Sequence, residues 1–348
     1  MSFSRKILLW YYKYKRDLPW RGTKDAYKIW LSEIILQQTR VVQGVPYYYR
    51  FIEKFPSIFD LAEASEEEVL KMWQGLGYYS RARNLHATAK IIAQDYGGIF
   101  PKTYKELLRL KGVGDYTASA IASICFDEPR PVVDGNVFRV LARYFGVDLA
   151  INSTEGIKYF KQLATEIMAV DDIRDYNQGI MEFGAIQCVP KNPDCMHCPL
   201  NDGCKAFQEQ RVAILPVKKG KTKVRKRFFN YLVPISPNGK TILRQRRDKG
   251  IWRHLWEFPL FESGSVIDTQ KVEIHAADIV SVKGNINVRK YNDGPIVHKL
   301  SHQHLYTTFW IMEISDEFDD GIDFVEIEKY PVPVLIADFL NTFKNSYF

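Results

Sequence analysis

The sequence lacks any apolar stretch approaching the roughly 18 consecutive residues of a membrane-spanning helix, which argues against an integral membrane protein. The apolar run before Lys13 is too short for the core of a signal peptide. The five cysteines are an odd number, and four of them lie in one short segment, so a disulfide framework is not expected. These absences predict a protein of the reducing cytoplasm.

The chain has 348 residues, more than one hydrophobic core usually organises, and this favours two domains. Apolar residues recur at helical spacing through residues 1–206, which are predicted to form an all-helical domain. Residues 207–227 end in a basic run with no apolar face and are predicted to be a connector. Short β-like runs follow, so residues 228–348 are predicted to form a smaller α+β domain. A turn at Pro237-Asn238-Gly239, between the first two runs, predicts a β-hairpin.

The balance of charge is mildly basic. Lysine and arginine number 48 against 41 aspartate and glutamate, which gives a net charge of +7. This favours a polyanionic partner such as a nucleic acid, although many other enzymes are equally basic.

Four cysteines, at positions 188, 195, 198 and 204, have the spacing C-x6-C-x2-C-x5-C. Short loops of this kind can bring four thiolates around one metal centre. Four thiolates suit either an iron–sulfur cluster or tetrahedral zinc, and the spacing alone does not decide between them.

A turn at Gly112-Val113-Gly114 separates two helical patterns. Glycines permit a tight turn and a close approach of another backbone. The backbone amides of such a turn, with the start of the next helix, can bind a phosphate. The segment resembles the helix-hairpin-helix motif that holds DNA by its backbone, while a simple helix–helix turn is the alternative.

Glu33 lies in a helical pattern in which three of its four neighbours at helical spacing are apolar. An exposed glutamate on an amphipathic helix would have mostly polar neighbours. Loss of hydration raises a carboxyl pKa, so Glu33 is a candidate acid that keeps its proton near neutral pH.

Asp134 precedes another helical pattern, which predicts an N-cap. A carboxylate at a helix N-terminus is kept ionised by the amide dipoles. Such an anion can also stabilise positive charge that develops on a sugar. The capping role and the catalytic role are compatible.

Several segments resemble, in the same order, the endonuclease III superfamily of DNA glycosylases and, within it, the MutY family of adenine DNA glycosylases. They are LPWRGTKDAYKIWLSEIILQQTRV, QGLGYYSRARNLH, LKGVGDYTA, VVDGNVFRVLARYF and the four-cysteine segment. The resemblance implies that the cysteines hold a 4Fe-4S cluster rather than zinc. It also implies two helical subdomains, with DNA and an adenine pocket in the cleft between them.

Position 116 distinguishes members of the superfamily. Bifunctional members have a lysine there that forms a Schiff base with the sugar, whereas this chain has Tyr116, so a purely hydrolytic enzyme is expected. By resemblance, Glu33 protonates adenine and then activates water, and Asp134 stabilises the oxocarbenium sugar. Tyr116 and Asn136 orient these groups.

Other residues resemble positions that contact the DNA bases. Trp20, Arg21 and Gln178 correspond to a pocket for the flipped adenine. Gln38, Thr39, Leu76 and Tyr78 correspond to residues that enter the base stack near the opposing base. For the aromatic residues, packing in the core is the alternative.

The segment GIWRHLWEFP is similar to part of the MutT-like, or Nudix-fold, C-terminal domain of the MutY family. The Nudix box R-E-x-x-E-E of the hydrolases is missing from the sequence, so lesion recognition is expected rather than nucleotide hydrolysis. The segment HKLSHQH resembles the loop that contacts 8-oxoguanine. Leu300 replaces the usual phenylalanine of that loop, while Ser301 and His302 are kept.

The resemblance implies base flipping and hydrolytic removal of adenine paired with 8-oxoguanine or guanine in duplex DNA. We expect a monomer that acts on DNA in a bacterial-type cytoplasm, at the nucleoid. Two alternatives stay open: an endonuclease III-type glycosylase and lyase for damaged pyrimidines, and a non-catalytic, metal-stapled DNA-binding module.

Overall fold

The computed structural model describes residues 1–220, 223–280, 285–318 and 321–347. Lys221 and Thr222 of the predicted connector lie outside the described residues. In the described part of the chain, helices are all too short or too polar to cross a bilayer. An all-helical part is followed by an α+β part, which confirms the predicted fold class.

The chain divides into two compact units, and the first comprises Met1–Glu63 and Asn84–Gly220. The helices up to the end of this unit, in chain order, are α1 (Phe3–Tyr14), α2 (Ala26–Leu36), α3 (Val41–Lys54), α4 (Ile58–Glu63), α5 (Glu66–Trp73), α6 (Ser80–Asp95), α7 (Tyr104–Leu107), α8 (Asp115–Phe126), α9 (Gly135–Phe145), α10 (Thr154–Ile167), α11 (Ile173–Glu182) and α12 (Lys205–Gln208). A turn of π-helix, Phe183–Gln187, continues α11. Apolar faces of α1, α9, α10 and α11 form one core.

Side-chain caps fix where the two central helices begin. Asp25 accepts hydrogen bonds from the amides of Tyr27 and Lys28 at the start of α2. Asp134 does the same for the first turn of α9. Each cap satisfies amides that have no partner within the helix, so each sets the direction in which the helix leaves the loop.

The second unit comprises Ala64–Arg83 and Lys221–Phe348. Beyond α5 and the start of α6 it contains β1 (Arg225–Ile235), β2 (Lys240–Thr241), β3 (Arg244–Gln245), β4 (Trp256–Glu257), β5 (Leu260–Ser263), α13 (Thr269–Val280), β6 (Ile286–Lys290), β7 (Ile296–Lys299), β8 (Gln303–Ile314), β9 (Ile322–Asp323) and α14 (Val334–Tyr347). A 3-10 helix, Phe324–Lys329, follows β9.

A five-stranded mixed sheet organises the second unit. Strand β1 runs parallel to β8 and antiparallel to β5, while β6 and β7 both pair antiparallel with β8. Neighbouring residues of a strand point to opposite faces of its sheet. Trp310 therefore packs in a cluster with Val272 of α13, and Phe309 stacks on Phe339 of α14 at a centroid distance of 4.0 Å.

The predicted β-hairpin is wrong in one respect: the turn forms, but the strands on either side of it, β1 and β2, are not paired with each other in a sheet. The turn is present, since the amide of Gly239 donates to the carbonyl of Ser236 at 3.0 Å. After it, however, β2 pairs with β9. Within the described residues, backbone hydrogen bonding between the two arms is limited to the turn itself, where the amide of Ser236 donates to the carbonyl of Lys240 at 3.1 Å.

Ala64–Arg83 falls within the predicted domain of residues 1–206, but it is grouped with the second unit. Two of its contacts there are polar contacts between residues distant in sequence. Lys71 Nζ donates to the carbonyl of Tyr330 at 3.2 Å, and the ring of His254 pairs with Glu66. These partners are separated in sequence by well over a hundred residues, so sequence patterns give no sign of them.

Candidate active site

A cavity of about 710 Å³ in the first unit brings together most of the predicted site residues. The predicted residues that line it are Trp20, Arg21, Glu33, Gln38, Thr39, Gly112, Gly114, Tyr116, Asp134, Asn136 and Gln178. Val113, the middle residue of the predicted hairpin, is instead buried, with 6% of its surface exposed. The two candidate carboxylates therefore share one cavity.

Glu33 lies on α2 and is buried, with 8% of its surface exposed. Ile29 and Leu36, two of the apolar neighbours seen in the sequence, line the cavity beside it. Burial raises the pKa of Glu33 to about 7, a hydrogen bond from Tyr116 opposes this, and the negative charge of Asp134 adds to it. Near neutral pH this carboxyl group can hold and release a proton.

Tyr116 is the second residue of α8, and its hydroxyl donates to Sδ of Met181 at 3.1 Å. Burial and the charges of Glu33 and Asp134 raise the pKa of Tyr116 well above its ordinary value, so the phenol stays neutral. Met181, on α11, lines the same cavity and had no distinguishing feature in the sequence. The neutral hydroxyl shares the cavity with both carboxyl groups, and the charge of each acts on it.

Asp134 is held by three hydrogen bonds. Its Oδ1 accepts from the backbone amides of Asn136 at 2.9 Å and Val137 at 2.8 Å, and its Oδ2 accepts from Asn136 Nδ2 at 2.8 Å. Burial raises the pKa of Asp134 above its ordinary value, and these hydrogen bonds oppose the rise. All three donors complement the anion, so they offset part of the cost of burying its charge.

Arg139 connects this carboxylate to the cysteine segment. Its Nη2 donates to Asn136 Oδ1 at 2.9 Å and to the carbonyl of Gly184 at 2.6 Å, and its Nε donates to the carbonyl of Cys188 at 2.7 Å. Sequence reasoning missed Arg139. It lies one helical turn after Asn136 on α9, and this spacing could have indicated that the two side chains are neighbours.

An ion-pair cluster forms another wall of the cavity. Glu182 accepts from Arg16 Nε at 2.7 Å and Nη2 at 2.6 Å, and from Arg21 Nη2 at 2.6 Å. Burial alone would raise the pKa of Glu182, but the hydrogen bonds from Arg16 and Arg21 hold it at about 2. Arg16 and Glu182 were not predicted. Trp20, beside them, packs edge-on against Tyr48 and also lines the cavity.

The predicted hairpin joins α7 to α8. Gly112 has φ +74°, and a Cβ there would lie 2.8 Å from Cβ of Asn84, so both the backbone and the space favour glycine. Gly114 precedes the first residue of α8. The N-terminus of α8 and the Gly114 backbone face the active-site cavity.

The other predicted base-contacting residues surround a second cavity, of about 650 Å³, within the second unit. Leu76, Tyr78, Leu300, Ser301 and His302 all line it. The Ser301 hydroxyl and His302 Nδ1 lie 3.1 Å apart. The basic and aromatic lining residues that the sequence did not single out are Tyr79, Arg83, Arg225, Arg227, Trp252 and Lys299.

Two residues predicted to enter the base stack have a left-handed backbone. Gln38 has φ +56° and Tyr78 has φ +47°, although neither is glycine. Tyr78 is also 47% exposed. Such conformations cost free energy and cluster at functional sites.

The four cysteines line one small cavity together. All of them are free thiols, and Arg143 Nη1 lies 3.4 Å from Sγ of Cys188. Within the described ranges, side chains of His, Cys, Asp and Glu form no group of three or more that could hold a single metal ion. A donor set of four thiols around a common cavity suits a thiolate-bound cluster.

The helical fold, the hairpin and the two carboxylates in one cavity define a helix-hairpin-helix DNA glycosylase. Residues 31–168 match the family described as HhH-GPD superfamily base excision DNA repair protein, and residues 230–342 match the NUDIX domain. The chain is thus an enzyme of base excision repair.

Curated relatives identify the family. The chain is 36% identical to the adenine DNA glycosylase of Buchnera aphidicola subsp. Baizongia pistaciae, over 90% of this chain and 86% of the relative. It is 37% identical to the adenine DNA glycosylase of Mus musculus, over 74% of this chain and 60% of that protein. A solved structure of a thermostable thymine-DNA glycosylase is 33% identical, with a TM-score of 0.55, covering 60% of this chain and 95% of that one. The chain belongs to the adenine DNA glycosylase family.

Proposed function

We propose that the protein removes adenine paired with 8-oxoguanine or guanine from duplex DNA by hydrolysing the N-glycosidic bond, which leaves an abasic site. One observation carries this proposal: a carboxyl group with a pKa near 7, Glu33, shares a cavity with a carboxylate held by three hydrogen-bond donors, Asp134. Paired carboxyl groups that differ in proton affinity are what acid-catalysed glycoside cleavage requires.

In the proposed reaction, Glu33 donates its proton to an imidazole-ring nitrogen of the flipped adenine. The bond between the sugar C1′ and the base then breaks, and its electron pair leaves with the base as neutral adenine. The sugar becomes an oxocarbenium ion beside the negative charge of Asp134. Water adds to C1′, and the carboxylate of Glu33 accepts the proton that water releases, which restores the enzyme. Tyr116 and Asn136 orient the two carboxyl groups through the contacts described above.

The reaction is proposed to be purely hydrolytic. Tyr116 occupies the position where a lyase would need an amine, and a phenol cannot form an imine with the sugar. Its hydroxyl is directed toward Met181 and Glu33, as expected of an orienting group.

The DNA contacts are proposed from the predicted residues. Trp20, Arg21 and Gln178 hold the flipped base, because they line the cavity that contains Glu33. The hairpin at residues 112–114 holds the DNA backbone. The residues proposed to enter the base stack or contact the opposing lesion are Gln38, Thr39, Leu76, Tyr78, Leu300, Ser301 and His302.

We further propose a 4Fe-4S cluster held by Cys188, Cys195, Cys198 and Cys204. Four thiols that line one cavity fit this group, and burial raises the pKa of the Cys198 thiol to about 12, so bound iron would be needed to keep it ionised. When bound, the cluster supplies a fixed cross-link of the segment, while Arg143 holds the carbonyls of Val189 and Pro190.

We propose that residues 1–206 form the catalytic domain, residues 207–227 the connector and residues 228–348 the lesion-reading domain, with Ala64–Arg83 packed in the same compact unit as the last of these. We propose that the protein works as a monomer on DNA in the cytoplasm, at the nucleoid.

The test is release of adenine under single-turnover conditions from a duplex that contains adenine opposite 8-oxoguanine. The unmodified protein should leave an abasic site, and Glu33→Gln should bind the duplex without releasing the base. Glu53→Gln, at an exposed position on α3, is the matched control and should behave like the unmodified protein.

Three outcomes would contradict the proposal. Near-normal base release by Glu33→Gln would remove Glu33 as the acid. Borohydride trapping of the unmodified protein on DNA, with release of damaged pyrimidines, would indicate the glycosylase and lyase alternative. A protein that binds DNA but leaves every damaged duplex intact would be a binding module only.

A further inference from the structure

Asp115 places a negative charge directly after the glycines of the hairpin. It is the first residue of α8, lines the active-site cavity, and has a side chain that is 56% exposed. Its Oδ1 accepts hydrogen bonds from both the hydroxyl of Tyr104 and Nζ of Lys161. A carboxylate here is unexpected in a surface assigned to DNA, because it repels phosphate.

The surroundings of Asp115 are cationic and aromatic. Lys161, on α10, is 42% exposed, and its Nζ lies 5.6 Å from the ring centroid of Tyr104. The guanidinium of Arg130 lies 4.6 Å from the same centroid, and its Nε is bound to Glu128 at 2.9 Å. Burial alone would raise the pKa of Asp115, but hydrogen bonds from Lys161 and Tyr104 hold it below its ordinary value. The carboxylate is therefore charged at neutral pH.

A DNA phosphate would compete with Asp115 for the same cation. Both are oxygen anions that accept charge-assisted hydrogen bonds, and a lysine ammonium is a compact point charge that either can hold. While Lys161 is held by Asp115, the pair is close to neutral and contributes little to binding the DNA backbone. If the carboxylate were absent, Lys161 would be free to neutralise a phosphate.

We propose that Lys161 is a DNA-phosphate-binding residue and that Asp115 restrains it as an internal counter-ion, which limits how tightly the protein holds any duplex. The inference rests on the proposed assignment of the hairpin to the DNA backbone. Backbone contacts carry no sequence information, so the restraint weakens binding to undamaged and damaged duplexes by the same factor. It shortens the time that the enzyme spends on each undamaged site.

The test compares Asp115→Asn with Asp95→Asn, an exposed aspartate at the end of α6 whose substitution changes the net charge equally. Affinities for an undamaged duplex and for one with adenine opposite 8-oxoguanine are measured at several salt concentrations. Asp115→Asn should bind both about tenfold more tightly, with an unchanged ratio between them. The slope of the logarithm of the binding constant against the logarithm of the salt concentration should become steeper by about one, which corresponds to one additional phosphate contact. Asp95→Asn should resemble the unmodified protein.

A double variant identifies the cation. In Asp115→Asn with Lys161→Gln, the gain in affinity should be lost. If the double variant keeps the gain, or if Asp115→Asn and Asp95→Asn bind alike, the proposal is overturned. Should Asp115→Asn fail to fold, Asp115→Ser, which also removes the carboxylate that holds Lys161, carries the same prediction.

Base release is measured on the same preparations. Absence of adenine release by the unmodified protein would reject the proposed function. The inference about Lys161 fails only on the binding results, so the two failures are distinguishable.

Discussion

The side-chain amide of Asn136 donates a hydrogen bond of 2.8 Å to Oδ2 of Asp134. Oδ1 of the same carboxylate caps α9, so both oxygens have donors and the group has one orientation. Asn136 is held in turn by Arg139. The direction of the carboxylate is thus fixed by residues of the helix that it caps.

Replacing Asn136 by alanine should slow base release by at least about tenfold. A hydrogen bond to a charged group contributes about 1.5–3 kcal/mol, and about 1.4 kcal/mol corresponds to tenfold in rate. The single-turnover rate constant at saturating enzyme measures this effect. Asn287→Ala, at an exposed position on β6, is the control. An unchanged rate constant for Asn136→Ala would show that the contact does not serve the reaction.

The rate of base release should fall as the pH rises through about 7, because the pKa of Glu33 is raised from 4.5 to about 7 and the proposed acid must carry its proton. The profile of single-turnover rate constant against pH measures this. A rate that stays level between pH 6 and pH 9 would contradict the assignment.

The same raised pKa has a consequence for stability. Between pH 4.5 and about 7 the folded protein binds the proton of Glu33 more tightly than the unfolded chain does, so this group lowers stability as the pH rises. The shift corresponds to about 3 kcal/mol at full ionisation. Glu33→Gln should therefore unfold at a higher temperature than the unmodified protein at pH 8, with little difference at pH 5. Equal melting temperatures at pH 8 would argue against a buried, titrating Glu33.

The contribution of Glu182 to stability changes with pH in the opposite direction to that of Glu33. Its pKa is lowered to about 2 by Arg16 and Arg21, so it contributes stability above its ordinary pKa of 4.5 that is lost as the pH falls toward 2. Glu182→Gln should lower the free energy of unfolding at pH 7 by about 3–5 kcal/mol, because two guanidinium groups lose their buried partner. Denaturant unfolding at pH 7 and at pH 3 tests this, and the loss should be smaller at pH 3.

The local part of the site could be read from the sequence. The apolar neighbours of Glu33 lie within one turn of the same helix, and the cap at Asp134 depends on the next three residues. The helix that carries Glu33 and the helix cap formed by Asp134 can therefore both be predicted from short-range sequence patterns. The grouping of helices and strands into their fold class followed in the same way.

The long-range pairings could not be read. Arg16 and Glu182 are 166 residues apart, and Asp115 and Lys161 are 46 apart, so no periodicity links them. The pairing of β2 with β9 was missed because a turn signal specifies where a chain bends and not which strand it meets afterwards. Tertiary packing decided each of these contacts.

Leu300→Phe should strengthen binding of a duplex that contains 8-oxoguanine. Leu300 lines the second cavity with Ser301, His302 and Tyr78, and an aromatic ring in its place would offer a surface on which a base can stack. Stacking contributes about 1–3 kcal/mol per base, so the affinity should rise by at least about fivefold.

The affinity for the same duplex with guanine in place of 8-oxoguanine is measured alongside. Val325→Phe, at a position that is 71% exposed, serves as the control for an added aromatic side chain. An equal gain for both variants would mean that Leu300 lies away from the lesion.

At Gln38 and Tyr78, which have a left-handed backbone, the residue that best suits the backbone differs from the residue that best suits DNA binding. Glycine would relax the main chain at either position and make the protein harder to melt, yet it would delete the side chain assigned to the duplex. Selection for thermal stability would therefore favour glycine at these two positions, whereas selection for efficient repair would favour the present side chains. A lineage that tolerates weaker repair is where glycine should first be found there.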